Sequence, residues 1–420
     1  MAALPASPPV PTETRSRHRP WAVLASGAYR KLWLGVSLSL FGDFFNYIAM
    51  AWLVLQLTGS SLALGAVLTV QAVPRGLLML VGGALADHLS ARLTMAASMA
   101  LRVACAGPLA LLVLMHHVEM WELYAFAAVF GVVSAFFYPS QGAILPRIVA
   151  DEMLEAGNAL MNITRQVSVV VGPALAGLMV AALGSGWAFA TDALCFAIGA
   201  AVILWLPSTP RPATGVAAQR RPGLAGQIGA GIRYAWNDVG IRTALLVIAG
   251  IDFAANGAFE VGLPTLAHGR FAAGASGLGI LFGAFGLGAT AGAAGAGMIR
   301  MPVRMGWLII GIVFWFAICI GLTGIVPTLA PATVVMAICG IATGVINTYG
   351  VTWLQRRTLA EMQGRVMSLV MLASVGLTPV SFAFAGAIAQ VSPTYLFVGA
   401  GVLLLMAAAV AASSRTVRSL

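Results

Sequence analysis

The 420-residue chain draws 60% of its residues from the hydrophobic set and 9% from the charged set, with a mean hydropathy of +0.94. A soluble enzyme, in which about a quarter of the residues carry charge, is excluded. The net charge of +10 does not point to a nucleic-acid binder, because the basic residues sit in short clusters between long apolar runs and form no stripe along a phosphate backbone.

In chain order, residues 1–30 open with a stretch rich in Pro, Thr, Ser and Arg and are expected to form a disordered cytoplasmic tail, with no cleavable signal. A membrane-spanning helix needs about 20 mostly apolar residues. Twelve such runs follow, at 33–57, 62–86, 93–115, 121–145, 158–183, 187–206, 243–267, 277–299, 306–326, 332–355, 366–390 and 394–412. They predict an all-α integral membrane protein of two six-helix bundles, 31–206 and 243–412, ending in a cytoplasmic tail at 413–420. The segment 207–242 between them holds Pro207, Pro210, Pro212 and Pro222 with Arg211, Arg220 and Arg221, as expected of a linker. Within it, Ile228, Ile232, Tyr234 and Trp236 alternate with Arg233 and Asp238, a pattern that suggests a short helix on the membrane surface. Nineteen of the 23 Lys and Arg residues fall on one side of this arrangement. Arg75, Arg102 and Arg165 lie within spans, and Arg270 stands alone on the other side. The positive-inside rule therefore places both termini and the linker in the cytoplasm.

A charge inside a span is costly and marks either function or a partner. Asp43, Asp192, Asp252 and Glu260 are such acids. Arg keeps its proton at ordinary pH whereas a buried carboxylate can take one up, so the acids are the candidate proton carriers. Arg102 lies about ten residues into the third span, at a depth similar to that of Asp43. It is the favoured partner for Asp43, with Arg75 the alternative; an Asp43–Arg pair that only fixes packing is the competing reading. Asp192, nearer the interface, reads as structural. Asp252, Asn256 and Glu260 are spaced four apart and form a polar ridge on adjacent turns that must face away from lipid. No Arg balances this ridge within the later spans, so Glu260 is a candidate to bind protons or a cationic substrate.

Cys105, Cys195, Cys319 and Cys339 each stand alone in apolar runs without metal-ligand spacing, and the histidines lie in tails and loops. No nucleotide-binding G-x-x-x-x-G-K-[ST] motif is present. No enzyme, metal or cofactor is expected, and transport would be driven by a gradient.

A shift of 209 residues brings Asp43-Phe44 onto Asp252-Phe253, Glu152-Met153 onto Glu361-Met362 and Ala174-x-Ala176-Gly177 onto Ala383-x-Ala385-Gly386. Asn46 falls one place out of step with Asn256. A constant offset across several spans indicates parallel six-helix repeats, which place a substrate site at their interface near the midplane.

The loop after the second span reads Gly83-Ala84-Leu85-Ala86-Asp87-His88-Leu89-Ser90-Ala91-Arg92 and resembles the G-x-L-A-D-R-x-x-R-R signature of the major facilitator superfamily, with His88 in place of Arg. Gln56-Leu57-Thr58-Gly59-Ser60, Pro74-Arg75, Asn158-Ala159-Leu160 and Gly364-Arg365-Val366 are similar to its branch of enterobactin exporters and macrolide efflux proteins. The resemblance implies the major facilitator fold, in a monomer of the bacterial inner membrane. It also implies export of a bulky amphiphilic small molecule by alternating access and proton antiport, with substrate, protons and the lipid bilayer as partners and no nucleic acid.

Gating roles would fall to Gly83, Asp87 and Arg92, to Gly364 and Arg365, and to Gly172-Pro173 of a G-P-x-x-G-G-like element whose final Gly is Leu178 here. Spans 1, 4, 7 and 10 line the pathway in this superfamily. The residues expected there are Phe44, Tyr47, Phe137, Tyr138, Asn256, Phe259, Asn347, Tyr349 and Trp353. Tyr138 stands where proton-coupled members often place an Arg, which departs from the usual relay. Two other readings are an uncoupled or uptake transporter of lipids or metabolites, and a non-transporting membrane receptor or scaffold.

Overall fold

The computed structural model describes residues 20–88, 90–207, 232–299 and 305–413. A bilayer core offers no water to backbone N–H and C=O groups, so spanning segments satisfy them internally. Twelve helices are long and apolar enough to cross a membrane, and no strand occurs among the described residues. The first six are α1 (Gly27–Thr58), α2 (Ser61–His88), α3 (Ala91–Leu114), α4 (Met120–Ile148), α5 (Leu154–Leu183) and α6 (Ser185–Leu204). The turns between them carry local stop signals. Ser26 caps α1 by accepting from the Tyr29 N–H, Gly59 ends it at φ 61, and a reciprocal Glu119–Glu122 capping box starts α4.

The second six are α7 (Val239–Gly269), α8 (Gly274–Met298), α9 (Met305–Ile325), α10 (Leu329–Arg357), α11 (Ala360–Gly376 resumed as Thr378–Val391) and α12 (Pro393–Ser413). Two of these are interrupted where the hydropathy pattern predicted unbroken spans. α7 widens into a π-turn over Ala258–Gly262, in which the Leu263 N–H reaches back to the Ala258 carbonyl. Pro264, two residues after Gly262, has no N–H for the Glu260 carbonyl, so the regular ladder cannot continue through this turn. In α11, Pro379 removes a bond in the same way and the helix breaks at Leu377.

Packing repeats between the halves. α1 lies against α5 and α6, α2 against α4, and α3 against α6. The same pattern recurs as α7 against α11 and α12, α8 against α10, and α9 against α12. The halves meet through α2–α11 and α5–α8. Small residues bring the backbones together at both contacts. A Cβ on Gly65 would sit 2.6 Å from the Phe382 carbonyl, and one on Gly177 would sit 2.6 Å from the Ala275 carbonyl. Hydrogen bonds from Ser60 Oγ and the Leu62 N–H to Gln390, from Thr69 to the Pro379 carbonyl and from Gln166 to Thr290 join the halves through the same pairs of helices. Trp52 of α1 packs edge-on against His268 at the end of α7, adding to this seal.

The opposite end carries most of the described basic residues outside the middle of the spans, Arg270 excepted. There Lys31 and Arg92 donate to the Trp205 and Leu206 carbonyls within the first half, and Arg357 pairs with Asp238 at 3.2 Å within the second. Residues 232–237 form a short helical turn before Asp238 caps α7. The remainder of the expected surface helix, including Ile228, lies outside the described residues, as do 1–19 and 414–420 of the expected tails. Residues 20–30 are not disordered but form a 3-10 turn (Pro20–Ala25) and the start of α1, with Val23 and Tyr29 buried against the bundle.

Candidate functional site

A cavity of about 420 Å³ lies between the two halves, on the basic-end side of the seal. It is lined from α1 by Asp43, Asn46, Tyr47 and Met50, from α2 by Leu68, Gln71, Ala72 and Arg75, and from α4 by Phe130, Ser134 and Tyr138. From the second half come Asp252, Asn256 and Glu260 of α7, with Ser374, Val375, Thr378 and Phe382 of α11. Much of this lining follows i, i+4 ridges, as in Gln71–Arg75, Phe130–Ser134–Tyr138, Asp252–Asn256–Glu260 and Ser374–Thr378.

Asp43 and Asp252, which the 209-residue shift superimposes, both reach this cavity. Their surroundings differ. Asp43 receives hydrogen bonds from Arg102 Nη1 at 3.0 Å and from the Tyr138 hydroxyl at 3.2 Å, and its side chain is 23% exposed. Arg102, 1% exposed, also donates from Nη2 to Ser134 Oγ at 2.9 Å. Its guanidinium lies 4.7–5.1 Å from the ring centres of Phe130, Phe137 and Phe196. The ring faces return part of the hydration that a buried cation forgoes, and Asp43 and Ser134 supply the rest of its stabilisation. Asp252 instead accepts from Ser374 Oγ, and Asn256 donates to Thr378 Oγ1 at 3.4 Å. The Tyr47 hydroxyl sits beside Glu260 without hydrogen-bond geometry and packs edge-on against Phe282 at 5.5 Å. Arg75 is exposed to the cavity and lies 5.6 Å from the centre of the Tyr138 ring.

The expected residues thus divide. Asp43, Asp252, Glu260, Arg75, Tyr47, Tyr138 and Asn256 come together, with Arg102 directly behind Asp43. Phe44 lies outside the lining, where it fills the space over Gly172 of α5. Phe137 belongs to the Arg102 enclosure, and Phe259 packs against Phe285 and Phe316 within the second bundle. Asn347 is exposed on α10, away from the lining. Tyr349 and Trp353 face a separate apolar cavity of about 70 Å³ among α7, α9 and α10. Among the expected gating residues, Arg92 holds the Leu206 carbonyl, Arg365 Nη1 donates to Met362 Sδ, and Pro173 presents its carbonyl to Gly279 of α8. Gly83 and Asp87 lie near the basic end of α2, and Gly364 in the first turns of α11. Sequence reasoning missed Gln71, Ser134, Ser374 and Thr378, although their i, i+4 spacing carried the signal.

The chain matches the family described as Transmembrane secretion effector over residues 18–419. It is 28% identical over 280 residues to the uncharacterized MFS-type transporter y4rN of Sinorhizobium fredii, covering 63% of this chain and 64% of that protein. It is 29% identical over 215 residues to the multidrug efflux pump Tap of Mycolicibacterium fortuitum, with 49% and 51% covered. With the enterobactin exporter EntS of Escherichia coli it shares 26% over 227 residues, 54% and 53% covered. These matches span between half and two-thirds of the relatives' lengths. Among solved structures, a variant of the peptide transporter POT superimposes with a TM-score of 0.73 at 13% identity, covering 95% of this chain and 99% of that one. A variant of the nucleoside transporter NupG gives 0.71 at 14%, with 92% and 100% covered.

Proposed function

Because the chain belongs to the transmembrane secretion effector family of major facilitator superfamily transporters, we propose that it is a secondary exporter of amphiphilic small molecules, coupled to proton entry through the carboxylates of the central cavity. The observation that carries this reading is one cavity between the halves holding Asp43, Asp252 and Glu260 together. Protonatable carboxyls at that position can exchange a proton for a substrate cation as the halves rock.

The lining combines charge with Met50, Leu68, Phe130, Val375 and Phe382, which suits a molecule with an apolar body and a basic group. The drug efflux and siderophore export named for Tap and EntS support the direction of transport. The concentration of basic residues beyond the cavity supports a cytoplasmic opening, with both termini on that side of a bacterial inner membrane. In this reading the α2–α11 and α5–α8 contacts close the outer end. The experiment is efflux of ethidium, a cationic amphiphilic dye, from cells lacking their own pumps. Expression of the protein should lower dye accumulation, and dissipating the proton gradient should reverse that. Accumulation unaffected by the protein would remove the export reading for this class.

A further inference from the structure

Asp192 of α6 has no place in the cavity, yet it is 0% exposed and lies in the same polar cluster as Arg102. Its Oδ2 accepts from Asn46 Nδ2 at 3.3 Å, and its Oδ1 has no hydrogen-bond partner. A Cβ built on Gly42 would lie 2.8 Å from that Oδ1, so α1 closes tightly over it. Arg102 Nε is likewise buried without a partner. An ionised Asp192, wholly buried beside a guanidinium that Asp43 already pairs, would leave an excess interior charge with an unsatisfied lone pair. The titratable groups facing Asp192 are Asp43 from α1, Arg102 from α3 and Cys195 on α6 itself. α5, which also packs on α6, presents no charged side chain to it among the described residues.

We propose that Asp192 is the positioning residue of the coupling site: it and Asp43 share one proton and alternate as the counter-charge of Arg102. This rests on the proton-coupled reading above. In the present arrangement Asp43 has the ion pair and Asp192 holds the proton. In the alternate arrangement the O–H bond at Asp192 breaks as one forms on Asp43, Arg102 keeps its own proton throughout, and its pairing passes from α1 to α6. That transfer frees α1, which touches the second half through Tyr47 and Trp52. The carboxyl open to the cavity is then the one able to release the proton.

A stability cycle on the purified full-length protein tests this, together with infrared spectroscopy of protonated carboxyl groups. Asp43→Asn and Asp192→Asn each leave Arg102 one carboxylate and should unfold close to wild type. The double variant leaves none and should lose far more stability than the two single losses together, with Arg102→Met in the same background restoring it. The wild-type spectrum should contain a protonated-carboxyl band that Asp192→Asn removes. Additive stability losses, or a wild-type spectrum without that band, overturn the assignment. Neither readout uses a substrate. A wild-type protein that fails to accumulate ethidium under a pH gradient would therefore sink the transport reading while leaving this result to stand or fall separately.

Discussion

Glu260 sits inside the π-turn of α7 with Tyr47 beside it and Arg75 across the same cavity, and no ion pair holds it. A cationic substrate group would find there a carboxylate that no side chain among the described residues holds in a direct ion pair. Glu260→Gln should therefore lose efflux of ethidium while sparing a neutral dye, as read by parallel accumulation assays; equal loss of both would assign Glu260 a structural role. Outside the membrane, Asp238 offers a second test. Partial burial pushes its carboxyl up, but the Ile241 N–H, Arg357 and the Gly240 N–H outweigh that and hold it below the ordinary aspartate value. A folded value below the unfolded one means that this stabilisation is present at neutral pH and fades as pH falls past the ordinary aspartate value. Asp238→Ala should cost about 1 kcal/mol at neutral pH and progressively less in acid, measured by thermal unfolding in detergent. At this scale the charges were legible in the sequence, since few survive in apolar spans, and the depth of Arg102 marked it as the partner of Asp43. The aromatic residues were legible only in part: Tyr47 and Tyr138 line the cavity, whereas Phe44, Phe137 and Phe259 pack elsewhere. Neighbours on a helix point about 100° apart, so Phe137 and Tyr138 read alike in the sequence while one encloses Arg102 and the other faces the cavity.

The repeated Ala-x-Ala-Gly element has a shared structural use. Its first copy sets Gly177 of α5 against Gly279 of α8, and its second sets Gly386 of α11 against Gly65 of α2, so one repeated sequence builds both contacts between the halves. A larger side chain at either place would force the backbones apart at a cost of about 1–3 kcal/mol, enough to shift an alternating equilibrium several-fold. Gly65→Leu and Gly279→Leu should each lengthen the distance between spin labels at His117 and Val391, both at the sealed end of the molecule. Unchanged distances would mean that closure does not depend on this backbone approach. The number and approximate positions of the helices were readable because hydropathy counts side chains, whereas the polar first turns of α1, α5, α7 and α11 extend four to six residues before the expected spans. The interruptions in α7 and α11 were not, since they follow from missing proline N–H groups, and an apolar average takes no account of these. Both interruptions fall beside cavity residues: Glu260 lies within the first, and Ser374 and Thr378 flank the second.

Across the described residues, close backbone contacts and the Gln390 hydrogen bonds seal one end and most basic side chains collect at the other, with the carboxylates between them. The sequence told which end is basic, but it could not tell which end is closed, because the small residues that allow a contact do not fix when it is made. The topology predicts that a cysteine introduced at His117, in a background without the four native ones, is labelled by an impermeant reagent from outside intact cells; labelling only after the membrane is breached would invert the orientation. The claim that unites the cavity, its acids and the movement of the halves is that Asp43 couples proton flow to transport. Purified protein in vesicles with an imposed pH gradient tests it most directly. Wild type should accumulate ethidium against its gradient, and Asp43→Asn should bind and exchange the dye but fail to concentrate it. If Asp43→Asn drives the dye uphill at the wild-type rate, Asp43 only fixes the packing of α1 against α3, and the account is contradicted.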